Sequence, residues 1–79
     1  MWWYFEKANE DNDIVTYNYS RENRILDGLI SIDKNTGMVS MVSPCSNDSE
    51  NDFAINKAIS KAFFLVKEGY PANRQVACG

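Results

Sequence analysis

The sequence predicts a two-layer α+β fold: an antiparallel meander of four strands, with a fifth strand allowed by the tail, and one amphipathic helix on one face of the sheet. Three observations carry that expectation. The middle of the chain alternates like a hairpin, two aromatic-rich alternating segments precede it, and one stretch of helical periodicity follows it.

The hairpin spans Leu29 to Val42, two alternating runs joined by residues 34–37. If Gly37 takes the left-handed conformation, which costs glycine nothing, Asp33 lies opposite Met38 and Ile32 opposite Val39. Ile30 and Met41 then share one face, and Leu29, Ser31, Ser40 and Val42 the other. A slip of one residue would exchange the two faces, so the pattern pins the register. In the first strand, residues 2–7, Trp2 and Tyr4 share a face opposite Trp3 and Phe5. In the second, residues 14–20, Val15, Tyr17 and Tyr19 form the core side, against Ile14, Thr16, Asn18 and Ser20. The polar residues 9–13 join these two strands as a second hairpin, and residues 21–27 turn the chain into a third strand opened by Gly28.

Pro44 takes the chain out of the sheet after Val42 because it has no N–H to donate. Ser49 with Asp52 makes a capping box, and Asp48, Glu50 and Asp52 add negative charge where a helix dipole favours it, so a helix is expected to start near Ser49. Ile55, Ala58, Ile59, Ala62, Phe63, Leu65 and Val66 gather on one side of it, and Asn56, Lys57, Ser60, Lys61, Lys67 and Glu68 on the other. Gly69 stops the helix, with Pro71 just beyond. The tail, residues 74–79, is short enough to add an edge strand.

A chain of 79 residues reads as a single small domain, residues 1–79, with no repeat or linker to divide it. Such a domain buries only about 60–65% of the surface its unfolded chain exposes, so its core is marginal. The chain contains no histidine. That excludes Ser-His and Cys-His pairs and imidazole metal ligands, and leaves acid-base chemistry to carboxylates, lysine or tyrosine. No catalytic, metal or cofactor motif is recognised, and the expectation is a non-enzymatic protein. A net charge of −3 argues against non-specific binding of nucleic acid and suits a protein partner. Met1 leads directly into Trp2-Trp3-Tyr4-Phe5 without a basic leader, and no apolar run approaches the ~20 residues of a membrane span, so the expected address is cytoplasmic.

Two acidic clusters, Glu10, Asp11, Asp13 and Asp48, Glu50, Asp52, fall at opposite ends of the meander, separated by about a strand length of 17–20 Å. They are not expected to build one metal site. The first begins like a calcium loop but lacks its glycine and terminal glutamate. The second suits a helix N-terminus, with Arg21 and Arg24 at the same end of the sheet. Cys45 and Cys78 both fall at that end if the tail runs back along the sheet. A disulfide is thus topologically allowed, while the absence of a secretory leader favours two unpaired thiols.

With Trp3, Phe5, Tyr17, Tyr19, Ile30, Ile32, Val39 and Met41 facing the helix, Trp2, Tyr4, Leu29 and Val42 lie on the uncovered face. Phe53 and Phe64 fall on the polar side of the helix by angle. Surplus apolar surface of this kind marks an interface. An aromatic sheet also suits RNA recognition, but the basic stripe Lys57, Lys61, Lys67 lies on the helix rather than beside Trp2 and Tyr4.

The stretch Ile32-Asp33-Lys34-Asn35-Thr36-Gly37-Met38-Val39 resembles the hairpin of PepSY-type domains, small bacterial modules associated with protease inhibition or signalling. The resemblance covers one hairpin. PepSY units place a helix before such strands, whereas here the helix follows them, and no site residue is carried over.

These readings converge on a small protein-binding or regulatory module that forms a homodimer through Trp2, Tyr4, Leu29, Val42 and Phe64. The alternative is an acidic inhibitor that presents Glu10, Asp11, Asp13, Asp48, Glu50 and Asp52 to a basic groove of a protein partner.

Overall fold

Tyr19 shows how the sequence closes the sheet on the helix. Its ring stacks on Phe5 with centroids 6.1 Å apart, and its hydroxyl accepts the Cys45 N–H at 3.0 Å and donates to Met41 Sδ at 3.5 Å. The computed structural model, which describes residues 1–48 and 51–77, builds around this core five antiparallel-paired strands: β1 (Trp2–Glu10), β2 (Ile14–Arg21), β3 (Gly28–Asp33), β4 (Val39–Ser43) and β5 (Asn73–Ala77). One helix, α1 (Asp52–Lys67), covers one face. The strand order is β4-β3-β2-β1-β5, so α1 carries the chain from one edge of the meander to the other. The expected two-layer α+β fold is thus observed, and the tail supplies its fifth strand.

The alternation that predicted the strands also sets their faces. Trp3, Phe5, Val15, Tyr17, Tyr19, Ile30, Ile32, Val39 and Val76 are buried under the helix, with Met41 packed against them. The helix answers this aromatic layer with small residues. Ala54, Ala58, Ala62 and Leu65 are buried, and three alanines allow close approach to the sheet.

The central hairpin has the expected register at its turn. Asp33 N–H donates to Met38 O at 2.9 Å, Gly37 N–H donates to Asp33 O at 2.7 Å, and Gly37 has φ of 76°. Ile32 pairs with Val39, Ser31 with Ser40 and Ile30 with Met41. Beyond that a bulge intervenes, and Leu29 pairs with Ser43 while Val42 is the additional residue.

Two helix details differ from the expectation. The N-cap is Asn51, whose side chain accepts the Ala54 N–H at 3.1 Å. A 3-10 turn, Ser46–Asp48, precedes it, and Ser49, the expected cap, lies outside the described residues. Asparagine provides the same service to orphan N–H groups as serine, so the two cannot be ranked by residue type alone. Phe63, expected on the core side, is instead 44% exposed. The C-terminus closes as expected on Gly69, at φ 76°. Gly69 N–H reaches Val66 O and Tyr70 N–H reaches Leu65 O, the paired bonds of a Schellman motif.

Asp48 is fully buried and paired to Arg21, with Nε 2.6 Å from Oδ1. Arg21 Nη2 also reaches Asn47 O at 3.5 Å, and Asn47 returns a hydrogen bond to Arg21 O at 2.8 Å. This network fastens the turn before α1 to the end of β2. The hydrogen bond that Arg21 donates to the Asp48 carboxylate raises the guanidinium pKa, so the cation is retained.

Gly28 lies against Tyr19. A Cβ there would stand 2.6 Å from a Tyr19 ring carbon and 2.8 Å from the Cys45 backbone nitrogen. Neither atom is free to move without breaking the Tyr19 contacts, so Gly28→Ala is expected to destabilise the fold by about 2–3 kcal/mol. Chemical denaturation of the two proteins measures this, and a stability unchanged within error would contradict the close approach.

Candidate functional site

At one end of the sheet the β1–β2 and β3–β4 turns meet. Lys34 N–H donates to Asp13 O at 2.8 Å, and Asn35 Nδ2 to Asp13 Oδ1 at 3.3 Å. Lys34 Nζ lies 2.7 Å from Glu10 Oε2, and Lys7 Nζ 2.6 Å from Glu10 Oε1. Hydrogen bonds from Lys34 and then Lys7 hold the Glu10 carboxyl down at about 2. Asp11 accepts the N–H groups of Ile14 and Asp13, both at 2.8 Å, which lowers its pKa as well. These carboxylates therefore serve the two turns.

The second acidic cluster is not a surface either. Asp48 is removed from the set of acidic contacts by its burial against Arg21. Asp52 is exposed in the first turn of α1, and Glu50 lies outside the described residues. Among the described residues no three His, Cys, Asp or Glu side chains are grouped to hold a metal ion.

On the uncovered face of the sheet, the apolar residues singled out from the sequence are divided. Trp2 and Val42 are 45% and 57% exposed, but Tyr4 and Leu29 are half-buried. The β2–β3 connection, residues 22–27, folds over this face and sets the Arg24 guanidinium 5.0 Å from the Tyr4 ring centroid. Ser20, opposite Tyr4 in the ladder, is buried and donates to the Asn23 carbonyl, while Asn18 stands opposite Leu29. Polar side chains thus separate Tyr4 from Leu29. A shallow groove of about 320 Å³ remains, lined by Tyr4, Glu6, Arg24, Leu26, Asn73 and Gln75. The chain's size gave no reason to expect it, because the groove is made by a loop whose path has no periodic signal.

Phe64 belongs to a different surface. It lies on the outer face of α1, on the other side of the molecule from Tyr4, and is 39% exposed. Phe53 on the same face is 66% exposed, so these two match the angular expectation, and Phe63 joins them. Lysines interleave with the rings: Lys57 Nζ is 5.6 Å from the Phe53 centroid and Lys67 Nζ 6.0 Å from that of Phe64. Arg74, held by Glu68 at 2.7 Å, also lies 5.8 Å from Phe64. Lys61 reaches back over Trp3 at 6.0 Å. Between these long side chains, small Ser60 leaves a depression of about 280 Å³ bounded by Lys61, Phe63, Phe64 and Lys67. The ammonium groups of Lys57 and Lys67 lie over the rings, where the π face attracts a cation.

The titratable groups with displaced pKa values move away from neutrality. Tyr17, buried and donating to Pro71 O at 2.6 Å, is pushed up to about 12, and burial raises Tyr19 further. Burial also raises the Cys45 thiol, with the Asp48 carboxylate adding to the effect. None of these displaced groups is tuned to exchange protons near pH 7. Pairing of Cys45 with Cys78 falls outside the described residues. Comparison with protein-family models, with curated proteins and with solved structures finds no match to this chain.

The Glu10 cluster gives a pH prediction. A depressed carboxyl pKa stabilises the folded state above about 4.5, and that contribution is lost as pH falls from 4.5 toward about 2. In Lys34→Ala the largest cause of the depression is gone, so the Glu10 midpoint, followed by NMR of its side-chain carboxyl, is expected to rise toward 4.5. A midpoint that stays near 2 would place the cause elsewhere.

Proposed function

We propose that this chain is a small non-enzymatic protein-binding module that docks through the outer face of α1. The observation that carries this reading is the exposure of Phe53, Phe63 and Phe64 together on the helix face turned away from the sheet. An aromatic ring exposed in isolation is ordinary on a protein surface, but three on one face, ringed by cations, have the composition of an interface centre and rim. The uncovered sheet face offers less, since its apolar residues are split by Ser20 and Asn18 and partly roofed by residues 22–27. The acidic-inhibitor reading is also less supported, because Glu10, Asp11 and Asp48 are engaged within the chain. Among the described residues no helix is long and apolar enough to cross a membrane.

Three forms of the protein test the site: wild type, Phe53→Ser/Phe63→Ser/Phe64→Ser, and Trp2→Ala/Tyr4→Ala. Each is used as bait for a differently tagged copy of the chain and for the proteins of a lysate. Species retained by wild type are expected to be lost from the helix-face variant and kept by the sheet-face variant. The opposite pattern would transfer the site to the sheet, and identical retention by all three would refute both surfaces.

A further inference from the structure

The outer face of α1 is self-complementary. Counting outward from Ser60, the face carries Lys57 on one side and Phe63 on the other at three residues, Asn56 and Phe64 at four, and Phe53 and Lys67 at seven. The positions 53, 56, 60, 63 and 67 recur at intervals of three and four, which keeps them along one stripe of a helix. When a second such helix is laid antiparallel across the first at Ser60, Phe53 meets Lys67 of the second copy and Lys57 meets its Phe64, which lies on the same side of the stripe. The reciprocal contacts follow by symmetry, as a two-fold interface requires.

We propose that the occupant of this face is a second copy of the chain, packed α1 against α1 antiparallel with the two-fold axis at Ser60. The inference rests on the reading of α1 as the docking face and names its partner. Charge and size both select this arrangement. In a parallel pair Lys57 would face Lys57 and Lys67 would face Lys67, a repulsive register. In the antiparallel pair each of these lysines faces a ring, where a cation is attracted by the π face. Lys57 and Lys67 already lie 5.6 and 6.0 Å from Phe53 and Phe64 of their own chain, so the rings would be shared between cations from both copies. Ser60 is the smallest residue of the stripe and stands at the point of closest approach, where small side chains let helices pack at 8–10 Å. The depression of about 280 Å³ beside it receives side chains of the other copy. A single helix face is small beside the roughly 800 Å² per partner of a standard interface, so the dimer forms reversibly and with concentration.

Ser60→Cys and Asn56→Cys, each in a Cys78→Ser background, separate the geometries, because the remaining thiol, Cys45, is buried. At a two-fold axis on Ser60 the introduced cysteines come within disulfide reach. Those at position 56 lie about 12 Å apart along the antiparallel helices, too far for a bond. Mild oxidation of the full-length protein is expected to give a covalent dimer from Ser60→Cys and none from Asn56→Cys, and cross-linking through both would indicate a parallel pair and overturn the proposal. Sedimentation velocity across a concentration series is expected to show monomer passing to dimer, with Phe53→Ala/Phe63→Ala weakening the dimer at least roughly tenfold at unchanged far-UV circular dichroism. A wild-type chain that remains at monomer mass at millimolar concentration would overturn the second-copy assignment alone. The docking reading would then rest on whether the helix-face bait loses other proteins. A monomer that binds a fluorescent single-stranded oligonucleotide through Lys57, Lys61 and Lys67 would replace both readings with a nucleic-acid surface.

Discussion

The structure depends on the close approach of Tyr19 to Gly28. Tyr19 occupies the middle of the core face and has to fit between the helix layer and the neighbouring strand. It does so because position 28, directly across the ladder, has no side chain. From there the hydroxyl takes the Cys45 N–H and so fixes where the chain leaves β4. That exit in turn places the turn Ser46–Asp48, whose Asp48 is drawn under the helix by Arg21, two residues beyond Tyr19 on the same face of β2. One strand, β2, thereby dictates the position of the helix start. A buried ion pair of this kind adds little net stability over an apolar pair, but it specifies one arrangement, since either charge left alone would be strongly disfavoured.

What was legible in the sequence was periodic. Alternation gave the faces of all three central strands and the hairpin register, because a buried face tolerates no slip and its period of two is visible over six or seven residues. Helical angle gave the outward placement of Phe53 and Phe64 for the same reason. What was missed was set by single contacts. Phe63 lies at the edge of the apolar arc, where angle alone does not decide, and it is displaced outward because Ile59 and Val66 already pack against the core on that flank. Asp48 looked like a surface carboxylate serving the helix dipole. Its burial follows from one arginine whose reach no pattern reports. Asn51 could not be told from Ser49 as the cap, because both residue types perform that role.

The candidate surfaces were the least legible, for a related reason. The loop of residues 22–27 has no period, yet it decides how much of the uncovered sheet face stays open. Glu22 adopts φ of 70°, its N–H reaches Trp2 O at 2.8 Å, and the chain is redirected so that Arg24 covers Tyr4. An apolar patch inferred from strand parity alone was therefore partly roofed by a segment whose path depends on a few hydrogen bonds.

The exposure of the helix phenylalanines follows from how volume is divided between the layers. The sheet supplies Trp3, Phe5, Tyr17 and Tyr19 to the core, and the helix closes on them with alanines. Interiors pack at near-crystalline density, so a phenylalanine in place of Ala58 or Ala62 would have no space to enter. The rings at 53, 63 and 64 are consequently excluded from the core by design of the sheet, and folding of the single chain gains little from them. Polar residues at those positions would improve solubility. The Lys57 and Lys67 ammonium groups lie over two of the rings, Phe53 and Phe64, which stay exposed. Residues that contribute so little to their own core, each matched across Ser60 by a lysine or an asparagine, are the ones that the proposed pairing with a second copy would bury.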